Sequence, residues 1–150
     1  MARGSKKQAL TALNDFRNAA KSLENQVNKI LGQLGIPPGQ FAILELLHNQ
    51  DSQLQTSLAH GLQSTAGNIT QVIDKLEKKR LVKRTRLRDD RRKIEVALSK
   101  NGKDLMNRVY PVYAAKLGSL MNGFNQQDLK RLKEIAAKFS WKLRDSEMSS

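Results

Sequence analysis

Apolar residues recur at spacings of three and four along most of the chain, and the pattern breaks at only a few places. Leu10, Leu13, Phe16, Ala20, Leu23, Val27, Ile30, Leu31 and Leu34 predict one long amphipathic helix over 6–33. Gly35-Ile36-Pro37-Pro38-Gly39 ends it, because neither proline nor glycine continues a helix easily. Pro38 is well placed near the start of a second helix, 38–49. Phe41, Ile43, Leu44, Leu46 and Leu47 make that helix apolar over much of its girth, so it is expected to be buried. A polar joint at 49–53 leads to a short helix, or a turn and helix, at 54–62. Ser64-Thr65 offers an N-cap for a helix over 66–79. There Ile69, Val72, Ile73 and Leu76 form one core stripe, and Asn68, Gln71, Lys75 and Lys78 lie on the opposite side.

After Arg80 the period changes. Residues 81–87 set β-formers between basic residues, and 94–98 alternate with Ile94, Val96 and Leu98 on one face. Residues 88–93 form a charged tip. Two strands with such a tip, directly after a helix, describe a wing. Ser99 can cap a further helix over 100–122, which Pro111 is expected to kink. A last helix spans 126–144, and 147–150 read as a frayed tail. The fold class is therefore mainly α with a small β-hairpin wing: a winged helix-turn-helix lobe with a helical region around it.

Composition narrows the chemistry. The 150 residues make one ordinary domain. Absence of cysteine excludes disulfides, thiolate metal sites and thiol redox sensing, and it suits a cytoplasmic protein. His48 and His60 stand apart with no clustered acid, so no metal or other cofactor is assigned. No catalytic set and no phosphate-binding glycine loop occurs, and an enzymatic reading has no supporting residues. Residues 1–10 carry no apolar run, so no signal peptide is expected, and no membrane segment is found. Tyr110, Tyr113 and Trp141 are read first as packing residues, with an effector pocket as the alternative.

Charge points to a partner. The formal net charge is +13. Residues 74–93 carry eleven basic residues against four acids, a net of +7, more than half of the excess. Concentration on one helix–hairpin unit favours a surface that tracks phosphates over a merely solvated face. Lys83, Arg84, Arg86 and Arg88 are expected phosphate contacts, indifferent to sequence, and Lys75 and Arg91 are further expected DNA-binding residues. A helix fits the DNA major groove, where Asn68 and Gln71 could pair bidentately with adenine. Thr70 could meet a phosphate or a thymine methyl. Thr65 and Gly67 mark the helix start, where backbone amides attract phosphate.

Residues 90–102, Asp90-Arg91-Arg92-Lys93-Ile94-Glu95-Val96-Ala97-Leu98-Ser99-Lys100-Asn101-Gly102, resemble the wing signature of the multiple-antibiotic-resistance regulator (MarR) family. Leu58-Ala59 with Leu62, Asp74 to Lys79 followed by Leu81-Val82, and Pro38 to Leu44 are similar to further stretches of it, in the same order. The resemblance implies that Arg92 enters a minor groove and that Asp90 orients it by a charge-assisted bond. It implies a homodimer on a palindromic operator in double-stranded DNA. In that arrangement 6–34 and 100–145 form the dimerisation region, 35–99 form the winged lobe, and a small-molecule effector binds between them. Arg80 stands where the family usually has glycine, so it must accept a left-handed conformation or end its helix differently. Ser64 replaces a usual apolar residue, and the run from Leu54 to Leu58 is one residue shorter.

Two readings stand at this point. One is a sequence-specific transcriptional repressor released by an effector. The other is a basic architectural protein that coats nucleic acid with little sequence choice.

Overall fold

The computed structural model describes residues 3–148. Its elements run α1 (Arg3–Leu34), α2 (Pro38–Gln50), β1 (Gln53–Leu54), α3 (Gln55–Gly61), α4 (Ala66–Lys78), β2 (Val82–Arg86), β3 (Ile94–Leu98), α5 (Lys100–Ser119) and α6 (Gln126–Met148). They fall into two compact units that divide between Lys116 and Leu117. Among the described residues no single helix is long and apolar enough to cross a membrane.

In the first unit α4 packs against α2, α3 and β2, and α2 packs against β3. Ile69, Ile73 and Leu76 are buried from α4, as are Phe41, Ile43, Leu44 and Leu47 from α2 and Val96 and Leu98 from β3. Val72, placed in the same α4 stripe by its spacing, is only half-buried. β2 and β3 pair antiparallel with Val82 opposite Leu98 and Arg84 opposite Val96. The sheet has a third strand that the hydrophobic pattern does not reveal. Gln53 and Leu54 pair with Val96 and Glu95, giving the order β1-β3-β2. Leu54 thus ends a strand instead of beginning a helix, and two residues are too few to display alternation.

Three helices close in one manner. Gly35, Gln63 and Arg80 have φ of 71°, 50° and 58°. The next residue's amide then reaches five residues back: Ile36 to Leu31 at 3.1 Å, Ser64 to Ala59 at 2.9 Å, and Leu81 to Leu76 at 3.0 Å. Each is a Schellman closure, which satisfies carbonyls that the helix end leaves unpaired. Arg80 therefore accepts the left-handed conformation at which glycine was expected, and as an L-residue it does so at a steric cost.

The next junction is equally close. The Ser99 hydroxyl donates to the Arg80 carbonyl at 2.6 Å and accepts from the Gly102 amide at 3.0 Å, so it caps α5 and ties α5 to the end of α4. A side chain at Gly102 would put its Cβ 2.0 Å from the Leu81 carbonyl oxygen. Only glycine fits there without backbone movement.

α5 continues as one helix through Pro111 to Ser119, three residues short of the expected end. In the second unit Asn125 and Asp128 cap α6 reciprocally, each side chain accepting from the other's amide, at 2.9 and 3.1 Å. α6 is helical to Met148, so Glu147 and Met148 belong to the helix and not to a tail; Ser149 and Ser150 lie outside the described residues. No residue of α6 is buried.

Replacing Arg80 with glycine relieves the left-handed strain, partly offset by a more flexible unfolded chain, and is expected to raise stability by ~0.5–1 kcal/mol. Gly102→Ala is expected to lower it by roughly 2 kcal/mol or more, because backbone must move. Urea denaturation of both variants beside the parent checks the pair, which should move in opposite directions.

Candidate nucleic-acid interface

Burial of Ile69, Ile73 and Leu76 fixes the roll of α4 and turns Gly67, Asn68, Gln71, Lys75 and Lys78 outward. The Thr65 hydroxyl accepts from the Asn68 amide at 3.1 Å and so caps the helix. The Asn68 side chain is partly engaged, its Nδ2 donating to the Ser64 hydroxyl at 2.7 Å. Ser64, where an apolar residue was usual, thereby fastens the turn to the first turn of α4. A side chain at Gly67 would meet no atom within 4 Å, so the protein's own packing does not require glycine there. The Thr70 hydroxyl donates to the Ala66 carbonyl at 2.9 Å and accepts from Gln55 Nε2 at 2.8 Å. Gln71 and Lys75 are exposed.

Strand β2 has two faces of different use. Val82 and Arg84 share the side that meets α4, while Lys83 is exposed on the other. Arg84 lies 2.5 Å from both Asp74 and Glu77 of α4, and its side chain is only 24% exposed. Hydrogen bonds to Glu77 and Asp74 raise its pKa against the opposing effect of burial, so it is a fixed cation at every working pH. Arg84, expected as a phosphate contact, faces α4, where its Nε and Nη2 donate to Glu77 and Asp74 and join wing to helix. The reason is the strand period, which puts residue 84 on the same face as buried Val82.

At the wing tip Asp90 accepts from the Arg92 amide and from Arg92 Nε, both at 3.1 Å. These bonds lower the Asp90 pKa, the side-chain bond contributing most. The Arg92 side chain is 92% exposed and that of Asp90 26%, so the acid is tucked behind the cation it orients. Arg86 donates to the Arg91 carbonyl at 2.9 Å and braces the tip. Lys83, Arg86, Arg88, Arg91 and Arg92 are all exposed. The fold thus gathers the outward residues of α4 and the basic wing on one helix–hairpin unit, with Arg84 inside it.

Several participants escape a reading of the sequence. Gln40, buried in α2, accepts from Lys79 Nζ at 2.7 Å and anchors the end of α4. Gln55 reaches Thr70 from the preceding helix. Asp74 and Glu77 were visible only as acids within a basic stretch, although the alternation of β2 was a signal for their partner. Away from this surface, α2 and α5 bring aromatic rings together. Phe41 meets Tyr113 with ring centroids 4.5 Å apart, and His48 meets Tyr110 at 4.8 Å. Burial raises the pKa of Tyr113, aided by Glu45 and Tyr110, and burial also raises that of Glu45. Tyr113 is therefore a packing residue, whereas Trp141 on α6 is exposed.

The MarR family profile matches residues 36–94, the stretch from the start of α2 to the wing. The transcriptional repressor MprA of Escherichia coli K12 is 31% identical over 121 residues, which cover 79% of this chain and 68% of that protein. The chain belongs to the MarR family. It is a winged helix-turn-helix transcription regulator. The HTH-type transcriptional regulator MhqR of Bacillus subtilis is 29% identical over 117 residues, covering 78% of this chain and 81% of its own. Solved structures share the MarR fold at low identity. AbsC of Streptomyces coelicolor superposes with a TM-score of 0.83 at 22% identity, over 91% of this chain and 94% of its own. CouR, solved on a 23-mer DNA duplex, gives 0.74 at 23% over 84% and 89%. NadR, solved with 4-hydroxyphenylacetate, gives 0.73 at 22% over 83% and 89%.

The Asp90 pKa gives a titration with a defined sign. A depressed carboxylate contributes above its unfolded pKa, and the contribution is lost as pH falls through the lower folded value. Carboxyl-carbon NMR is expected to show Asp90 titrating below the usual aspartate range in the parent. In Arg92→Ala it should move up toward that range, because the largest cause is gone while the backbone bond from residue 92 and the charge of Lys93 remain.

Proposed function

We propose that this MarR-family protein is a cytoplasmic homodimeric repressor that binds a palindromic operator and leaves it when a small-molecule effector binds. The observation that carries this reading is the roll of α4. Its amide and basic side chains face outward beside a wing tip whose arginines are exposed, and the acids Asp74 and Glu77 share an ion pair with Arg84 that offsets part of their charge. Within it, Gln71 and the free edge of the Asn68 amide read bases in the major groove. Thr65 and Gly67 let a phosphate approach the start of α4. Lys75, Lys83, Arg86, Arg88 and Arg91 meet phosphates, and Arg92, oriented by Asp90, enters the minor groove. The likeness to CouR on DNA supports this docking, and the likeness to NadR with its ligand supports an effector. The reading assigns no catalytic reaction, in keeping with relatives named as regulators.

Residues 35–99 serve as the DNA-binding lobe and 6–34 with 100–145 as the dimerisation region. Support for that division comes from apolar residues that each unit leaves open. Leu10, Leu13 and Leu23 are exposed on α1, and Leu132, Ile135, Trp141 and Leu143 on α6. So many large apolar side chains need a cover, and a two-fold dimer is the commonest one. Sedimentation at micromolar concentration is expected to give a dimer; a monomer there would remove both dimer and palindrome.

Selection of bound fragments from genomic DNA would supply the operator. On it, Lys83→Ala should weaken operator and random DNA equally and lower the salt slope by about two units for a dimer. Gln71→Ala should keep the slope and cost ~1–3 kcal/mol per half-site on the operator alone. Arg92→Ala should lose affinity and any preference for A·T-rich flanks, since groove width is what it senses. Equal weakening of both DNAs by Gln71→Ala would favour an architectural protein instead.

A further inference from the structure

We propose that Thr70 reads the C5 methyl group of a thymine in the major groove, and that Gln55 is the positioning residue that holds its hydroxyl away from the DNA. The inference rests on the operator-binding reading above and specifies what one residue of that surface recognises.

A threonine hydroxyl has one proton to give and two lone pairs to receive. In this protein the Thr70 proton goes to the Ala66 carbonyl at 2.9 Å, and Gln55 Nε2 donates to the oxygen at 2.8 Å. The hydroxyl therefore has no proton left for a phosphate or a base acceptor. Threonine is branched at Cβ, so fixing the oxygen also fixes the methyl group. That methyl is the apolar group Thr70 retains for contact, beside one hydroxyl lone pair that only a base amino donor could use. The residue is half-exposed in the N-terminal half of α4, the part of such a helix that meets base edges. One turn earlier stands Gly67, where a side chain would meet nothing within 4 Å, so a base edge has room to approach. A thymine methyl is the one apolar group that the major groove displays, and threonine methyls are suited to it.

Gln55 supplies a second, independent sign. Its Oε1 is buried without a hydrogen-bond partner among the described residues. An unpaired buried carbonyl costs stability, so stability alone does not explain a glutamine there. Its other end is spent on Thr70.

The test replaces each operator thymine in turn with deoxyuridine, which lacks only the methyl, and measures the T/U affinity ratio. The ratio is independent of the folded fraction of each variant. The parent is expected to lose about fourfold per half-site at one position, and about 15-fold when both half-sites are changed, the factor for burying one methyl group. Thr70→Ser, which keeps the hydroxyl, should bind both duplexes equally there. Thr70→Val, which keeps a methyl, should retain the preference. Gln55→Ala should reduce the ratio at that position without lowering the melting temperature. A Thr70→Ser ratio equal to the parent's, or no position sensitive to uridine, would overturn the methyl contact. An unchanged ratio in Gln55→Ala would overturn the positioning role. Failure of the parent to prefer any operator over random DNA would instead remove the regulator reading itself.

Discussion

Burial of three residues, Ile69, Ile73 and Leu76, sets what the rest of this protein can do. They lie along one side of α4 and leave no freedom in its roll, because turning the helix by even one residue would expose an isoleucine or bury a lysine. Each such side chain contributes on the order of 1.5–3 kcal/mol when fully buried, a large share of a small domain's stability. Gly67, Gln71 and Lys75 face outward because the opposite face has no alternative. The surface that meets DNA in the proposed function is thus the complement of a packing requirement.

A fixed roll does not place the wing, and a second set of interactions does. Arg84 ties β2 to Asp74 and Glu77, and Lys79 ties the end of α4 to buried Gln40. Between them the chain turns at Arg80, whose carbonyl is held by Ser99, and α5 begins so close to Leu81 that residue 102 can only be glycine. An exposed ion pair alone would contribute little. Here the pair is partly shielded and the backbone junction is rigid, so helix and wing are held as one piece. That matters for recognition, because side chains on a loosely joined wing would lose more freedom on binding.

The same arrangement sorts the charge. Eleven basic residues in twenty repel one another, and the acids among them attract the nearest of those cations. Asp74 and Glu77 take Arg84, and Asp90 takes Arg92, but with opposite results. Arg84 is drawn into the protein, whereas Arg92 is held at its base and stays exposed. One ion pair builds the scaffold; the other aims a side chain. The net charge says nothing of this difference.

The helices α1, α2, α4 and α6 and the strands β2 and β3 were legible in the sequence, because apolar spacing records which side of each element is buried. The basic cluster on one helix–hairpin unit was legible too, as was the pairing of Asp90 with Arg92 through likeness to a family wing. Strand β1 was not, since two residues carry no period and exist as a strand only because β3 lies beside them. The conformation of Arg80 was left open between two outcomes, and backbone bonds to Leu76 and Glu77 decided it. The use of Arg84, and the bond from Gln55 to Thr70, depend on groups 7–15 residues away that meet only after α3, α4 and β2 have packed. The sequence by itself determined the longer elements and the sign of the surface, which follow from local periodicity and composition. Only the tertiary structure decided which polar groups are spent on the protein and which remain for a partner, because a hydrogen bond satisfied inside the fold is no longer available outside it.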